Sequence, residues 1–158
     1  MKLFSGTPLG QFSDQPDQKP RVARMREEVP QSPETTPVRI VPIPRLAAGG
    51  RWRIEAMRSL SEPLLLWFTR GQGRITVAGV TRGFGAHNAI FIPAGCMHGF
   101  EMGAQSFGTA VFFGRGSMLD LPEDPHHLRI RDVAPQAELS GLIDNVQREL
   151  DSGKPGAE

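Results

Sequence analysis

The feature that most constrains the fold of this chain is a series of short β-prone runs between Val38 and Arg131, with no helical period between them. Gly, Pro and Asn separate the runs, and eleven of the 18 glycines lie between residues 71 and 116, where tight corners are needed. Short strands with frequent turn residues are typical of an all-β barrel or sandwich. The predicted strands are 38–43, 51–57, 64–69, 74–78, 89–92, 97–102, 107–113 and 128–131.

The chain on either side of this β-rich segment has a different character. Eight of the 14 prolines fall in residues 1–44, and residues 1–36 have no apolar period, which predicts a flexible N-terminal arm. Near the other end, apolar residues recur with a spacing of 3.6, which predicts an amphipathic helix from Pro135 to Leu150. The predicted units are an arm at 1–36, a β-barrel at 37–132, a helical segment at 133–151 and a disordered tail at 152–158.

The predicted helix carries one narrow apolar stripe. A narrow stripe suits a seam between two helices and predicts a homodimer interface. The same stripe also suits packing of the helix on the barrel of its own subunit, and both interpretations stay open. The residues of the stripe are Leu139, Leu142, Ile143, Val146 and Leu150.

Charge and composition exclude several classes of protein. The formal net charge is only +1, which argues against a nucleic-acid or membrane surface over the whole chain. Residues 39–131 hold eleven Arg, no Lys and six acidic residues, whereas the C-terminal segment is acidic. Arginine suits bidentate capture of carboxylate or phosphate, although a general preference for Arg over Lys explains the same count.

Cysteine usage and hydropathy predict a cytoplasmic protein with no membrane partner. Cys96 is the single cysteine, so no intramolecular disulfide can form. The longest apolar run has about five residues, whereas a helix that spans a bilayer needs roughly 18. The N-terminus has no apolar run typical of a signal peptide.

The most specific motif is Pro93-x-Gly95-x-x-His98, which follows a β-prone run. Pro93 and Gly95 turn the chain sharply, so His98 begins a strand that points into the barrel. With the hairpin around Gly71, this segment resembles the second motif of the cupin superfamily, although His87 replaces the usual turn glycine. The resemblance covers roughly residues 50–114 and implies a mainly β, cupin-like (double-stranded β-helix) barrel.

The metal ligands of the family are missing from this chain. Metal-dependent cupins hold a divalent metal through His-x-His, a Glu and the second-motif His. Counting back from Gly71 places the Glu position at Leu64. The His-x-His positions fall at Arg58 and Leu60, or at Met57 and Ser59. His98 alone does not hold a metal that takes three or four protein ligands, so we expect no metal and no other cofactor.

Within the superfamily, the chain resembles the N-terminal effector-binding and dimerisation domain of AraC-type bacterial transcription regulators. A Pro-containing arm, a small barrel, the Pro-x-Gly-x-x-His segment and a C-terminal helix occur in the same order. The resemblance implies a small-molecule effector, a homodimer through the helix, and an arm that closes over the ligand. The family reads DNA with two helix-turn-helix units after this domain. Only eight residues follow Leu150, so we expect no direct nucleic-acid contact from this chain.

Strand alternation predicts the residues that line a ligand pocket. If Leu64 occupies the position of the metal-binding Glu in the family, alternation turns Leu64, Leu66 and Phe68 inward. In the same way, His98 and Phe100 share the inner face of their strand. An apolar pocket with an imidazole and arginines suits a small organic acid or sugar acid. The alternative for His98 is a core histidine whose hydrogen bonds are satisfied. The predicted ligand-binding residues are His98, Phe100, Arg58, Arg74, Leu64, Leu66 and Phe68.

Two other functions stay open. The first is a stand-alone, metal-independent cupin isomerase or lyase that uses His98 as its acid or base. The second is a structural dimer with a filled barrel. Cys96 lies two residues from His98, but no third orienting group is evident, so we predict no catalytic residue. An enzyme converts the ligand that it binds, whereas a sensor releases it unchanged.

Overall fold

The structure is a computed structural model and describes residues 36–153. The predicted arm, apart from its last residue, and the end of the predicted tail lie outside the described residues. The elements in chain order are β1 Arg39–Pro42, α1 Ile43–Leu46, α2 Trp52–Glu55, β2 Leu64–Arg70, β3 Gly73–Val77, β4 Val80–Phe84, β5 Asn88–Ile92, β6 His98–Met102, β7 Phe107–Phe112, β8 His126–Arg129 and α3 Val133–Ser152.

The strands form two antiparallel sheets with a shared apolar core. One sheet has the order β1-β7-β2-β5-β8, and the other has the order β4-β3-β6. At the centre, the rings of Phe68 and Phe84 stack with their centroids 4.0 Å apart, and the edge of Phe100 meets Phe68 at 6.0 Å. Two packed antiparallel sheets are the double-sheet arrangement of jelly rolls and cupins. The predicted fold class, a mainly β and cupin-like chain with a C-terminal helix, is confirmed.

Strand β2 separates two apolar clusters. Leu64, Leu66 and Phe68 lie in the core between the sheets, as alternation predicts. The intervening residues Leu65 and Trp67 belong to a second cluster, on the other face of the five-stranded sheet. This sheet is therefore covered on both faces, which explains why β2 is a nearly continuous apolar run.

Helix α3 covers the outer face of the five-stranded sheet. Ile143 is only 8% exposed and packs in one cluster with Trp67, Ala89 and Val111. The Trp67 indole also donates a hydrogen bond to the Ser140 hydroxyl, with 3.1 Å between Nε1 and Oγ. The helix therefore packs on its own subunit.

The predicted dimer stripe is divided by this packing. Leu139 and Ile143 contact the sheet of their own subunit. Leu142 remains 56% exposed and Val146 40% exposed, while Leu150 is half-buried. The helix thus docks on the sheet through part of the stripe and still presents apolar side chains to solvent.

The structure departs from the predicted elements at several places. The predicted strand 51–57 is wrong, because residues Trp52–Glu55 form one helical turn. Trp52 and Ile54 imitate a strand period, but only Ile54 is buried.

Strand β4 was not predicted, because Phe84 is its single buried residue. It forms because the Ala78-Gly79 turn, with φ of 50° and 81°, returns the chain antiparallel to β3. Strand β8 begins two residues before the predicted 128–131.

Truncation of Ile143 and of its neighbour Leu142 is expected to have unequal effects on stability. Ile143→Ala empties a buried position and should lower the free energy of unfolding by about 2–5 kcal/mol. Leu142→Ala changes a largely exposed position, and the monomer should change by no more than about 0.5 kcal/mol. Urea denaturation of both variants at low protein concentration measures the difference. Equal losses would contradict the packing of α3.

Candidate ligand-binding site

A cavity of about 280 Å³ lies beside the start of β6, where the two short helices and the segment before β2 cover one side of the barrel. Its wall combines cationic and apolar side chains, and it holds no carboxylate. The lining residues are Arg45, Leu46, Arg53, Ile54, Arg58, Leu60, Leu64, His98, Phe100 and Phe112.

Backbone pairing fixes Arg58 against His98. The Arg58 amide donates to the His98 carbonyl at 2.9 Å, and the His98 amide donates to the Arg58 carbonyl at 2.8 Å. The next residue, Gly99, allows this approach, because a Cβ there would lie 2.9 Å from the Glu55 carbonyl oxygen. The sequence therefore places a guanidinium and an imidazole on directly opposed residues of an antiparallel bridge.

His98 is held in one orientation at the wall of the cavity. Its side chain is 5% exposed, and Nδ1 lies 3.1 Å from the Cys96 carbonyl oxygen. Burial lowers the pKa of His98 from its ordinary value of 6.5; the carbonyl opposes this effect, and the positive charge of Arg58 adds to the lowering. The neutral ring donates its Nδ1–H to the carbonyl, which leaves Nε2 as a hydrogen-bond acceptor.

Three arginines make the cavity electropositive. Arg45 on α1 and Arg53 on α2 are exposed at its rim, and Arg58 is half-buried. Within residues 36–153, the one ion pair joins Arg39 to Glu62 and does not involve these side chains. A cluster of cations with no carboxylate among the lining residues favours an anionic ligand.

The Arg58 guanidinium has an unused donor. Its Nη2 makes a long contact of 3.5 Å with the Trp52 carbonyl oxygen. Its Nε is buried and has no hydrogen-bond partner in the described part of the chain. A buried donor without a partner is costly, so protein groups among the described residues leave this guanidinium incompletely paired. Arg58 also lines the cavity, where the accessible part of its guanidinium can meet an acceptor.

The structure brings together four of the seven predicted ligand-binding residues. His98, Arg58, Leu64 and Phe100 line the same cavity. Leu66 and Phe68 point inward but are fully enclosed in the core, and they do not line it.

Arg74 lies elsewhere. It is exposed, and it pairs across β3 and β6 with Glu101 rather than facing the core, because Ile75 is the inward residue there. It lines a separate groove of about 990 Å³ whose wall mixes arginines with Glu55 and Glu101. That groove is larger, but the cavity beside His98 combines an apolar wall with convergent polar groups of one sign, as ligand sites do.

Sequence reasoning missed Arg45 and Arg53. Both lie on helices of a single turn, Ile43–Leu46 and Trp52–Glu55. Neither helix was predicted: Arg45 lies between two predicted strands, and Arg53 lies within the predicted strand 51–57. The excess of Arg over Lys was the one indication, and it could not say which arginines converge.

The positions that the resemblance assigns to metal ligands lie close together, but their side chains do not fit a metal. Of the two pairs that the count from Gly71 allows, Arg58 and Leu60 line one cavity with Leu64 and His98, whereas Met57 and Ser59 do not. A guanidinium and two leucines offer no metal-ligating atom, and one imidazole remains. Residues 36–153 contain no group of three or more His, Cys, Asp or Glu side chains placed to hold a metal ion.

Comparisons with known proteins give partial likenesses to cupins. No family model matches the chain, and no curated protein matches it. Acireductone dioxygenase from Bacillus anthracis, solved with a cadmium ion in its active center, is 9% identical with a TM-score of 0.36, over 53% of each chain. A cupin protein from Bacteroides fragilis is 14% identical with a TM-score of 0.37, over 60% of this chain and 85% of that one.

Oxalate decarboxylase from Bacillus subtilis is 16% identical with a TM-score of 0.35, over 80% of this chain and 30% of that one. The match thus spans about half of the dioxygenase chain and less than a third of the decarboxylase chain. Because these identities and TM-scores are low, the fold assignment rests on the strand arrangement described above and not on the comparisons. No helix among the described residues is long and apolar enough to cross a membrane.

The lowered pKa of His98 predicts a loss of stability in mild acid. Because the unfolded imidazole titrates near 6.5 and the folded one titrates lower, the unfolded chain binds more protons between the two values. The stability that His98 contributes is therefore present above about pH 6.5 and is lost as the pH falls below it. Urea denaturation at pH 7.5 and pH 5.5 should show a larger loss for wild type than for His98→Asn.

The variant keeps His127, whose pKa is also lowered, so the difference between the two proteins belongs to His98. Parallel losses in both would show that the folded His98 titrates like an exposed histidine.

Proposed function

We propose that this chain is the effector-binding domain of an AraC-type transcription regulator, and that it binds a small organic or sugar acid without a metal. The observation that carries the proposal is the set of three guanidinium groups and one neutral imidazole around a single cavity. In the proposal, the domain acts in the cytoplasm and makes no nucleic-acid contact of its own.

The chemistry of the cavity supports an acid as ligand. Guanidinium groups bind carboxylates through paired, charge-assisted hydrogen bonds, and the incompletely paired guanidinium of Arg58 lines the cavity. Leu64, Phe100 and Phe112 provide an apolar wall for the carbon skeleton. The volume of about 280 Å³ lies just below the typical range of ligand cavities, roughly 300–1,000 Å³, so it suits an acid of a few carbons.

The titratable groups favour binding over turnover. Acid–base catalysis usually needs one protein group that gives a proton to the substrate and another that takes a proton from it. His98 is the one lining group that titrates near neutral pH, and no carboxylate lines the cavity with it. The alternative, a metal-independent isomerase or lyase, is favoured by the fixed ring of His98, whose free Nε2 has the geometry of a base. Recovery of the ligand unchanged after incubation supports the sensor, and its conversion supports the enzyme.

A homodimer through α3 is the second part of the proposal. Leu142 and Val146 stay exposed after the helix has docked on its own sheet, and a second copy of the helix would cover them. Because Leu142 is outside the monomer core, Leu142→Asp should remain folded. Light scattering is expected to show a dimer for wild type and a monomer for this variant; a dimeric variant would place the interface elsewhere.

Two arginine substitutions test the binding site. Arg58→Gln removes a charge from the cavity, and Arg74→Gln removes the same charge from the outer face. Loss of a hydrogen bond to a charged ligand costs roughly 1.5–3 kcal/mol, so Arg58→Gln should weaken binding about ten- to a hundredfold. Arg74→Gln should bind as wild type does.

Calorimetric titration with a panel of small carboxylates, from acids of three carbons to gluconate, provides the measurement. Absence of binding by the whole panel, or equal losses in the two variants, would contradict the proposed site.

A further inference from the structure

We infer that the cavity selects a hydroxy acid, in which the carboxylate binds Arg58 and a hydroxyl one or two carbons away donates a hydrogen bond to Nε2 of His98. This inference rests on the proposed function, because it names the ligand class for the same site.

The first step is the acceptor character of Nε2. A carbonyl oxygen can only accept, so the contact of 3.1 Å between Nδ1 and the Cys96 carbonyl requires the ring hydrogen to be on Nδ1. Nε2 of the neutral ring then carries a lone pair. Arg45, Arg53 and Arg58 all line the same cavity, and positive charge disfavours a second proton on the ring. The cavity therefore offers an acceptor among cationic donors.

The second step is the spacing between the two groups. Arg58 and His98 form a hydrogen-bonded antiparallel pair, and in such pairs the side chains leave the same face with Cβ atoms roughly 4.5–5.5 Å apart. A ligand that contacts both side chains needs its anionic group and its donor within a few bonds of each other. A hydroxyl on the second or third carbon of a carboxylic acid meets this condition.

The third step is discrimination. A plain carboxylic acid satisfies the arginines but turns C–H groups towards Nε2, so the acceptor loses water and gains no partner. A hydroxy acid of the same length satisfies both groups. We therefore expect the hydroxyl to improve affinity by about tenfold or more.

The test uses three acids that differ only in the hydroxyl: butyrate, 2-hydroxybutyrate and 3-hydroxybutyrate. Dissociation constants from NMR titrations should show at least one hydroxy isomer binding about tenfold more tightly than butyrate to wild type. His98→Phe has no acceptor and should bind all three with similar affinity. His98→Gln supplies a side-chain oxygen and should recover part of the preference.

Each result decides between separate claims. Equal binding of the three acids by wild type would overturn the hydroxy-acid inference and leave the proposed anion site intact. A preference that persists in His98→Phe would overturn the role of His98. Failure of all three acids, and of the wider carboxylate panel, would overturn the proposed function itself. If His98→Phe does not fold, the comparison of wild type with His98→Gln decides, since partial but not full preference is expected there.

Discussion

Two backbone hydrogen bonds between Arg58 and His98 determine the geometry of the candidate site. They join the segment after α2 to the first residue of β6 and set a guanidinium beside an imidazole. Gly99 is part of the same arrangement, because a side chain there would push the Glu55 carbonyl away from the strand. The short helices that hold Arg45 and Arg53 precede the same segment in the chain. The helix of Arg53 packs on β6, whereas the helix of Arg45 packs on β1 and β7.

The remainder of the fold makes that connection rigid. Phe68, Phe84 and Phe100 fill the centre between the sheets, and Phe100 is also part of the cavity wall. On the opposite face, Trp67 and Ile143 fasten α3 to the five-stranded sheet. Helix α3 therefore contributes stability on the face of the sheet opposite the cavity. The proposed ligand site and the proposed dimer surface are thus on different parts of the barrel.

Much of this architecture could be predicted from particular residues. Alternation in the run from Leu64 to Phe68 gave the inward face of β2, and the Pro93-x-Gly95-x-x-His98 motif gave the start of β6. Both are local patterns: alternation depends only on every second side chain of one strand, and the motif depends only on one turn. The count from Gly71 gave Leu64 and two alternative pairs, Arg58 with Leu60 or Met57 with Ser59. The first pair lines the cavity with Leu64 and His98.

The parts that could not be predicted depend on tertiary contacts. Arg45 and Arg53 lie on single helical turns. Each turn has one buried residue, Ile43 or Ile54, which is too few to give a helical period. Arg74 lies in β3, close to the predicted strand 74–78. Its neighbour Ile75 is buried, and because side chains alternate along a strand, Arg74 faces solvent. Which side chains line the cavity thus depends on how residues 45–60 pack against the barrel, and no local pattern in the sequence shows that packing.

The most direct test of the account is to observe the Nε–H group of Arg58 while a ligand is added. This donor is buried without a protein partner in the described residues, and it reports on the guanidinium that the account assigns to the carboxylate of the ligand. The Arg58→Gln variant identifies its resonance in a ¹⁵N-correlated spectrum, and Arg74 serves as an internal reference. At saturation with 2-hydroxybutyrate, the account predicts a downfield shift of the Arg58 Nε–H proton and no change at Arg74. A bound state in which the Arg58 resonance does not move would contradict it.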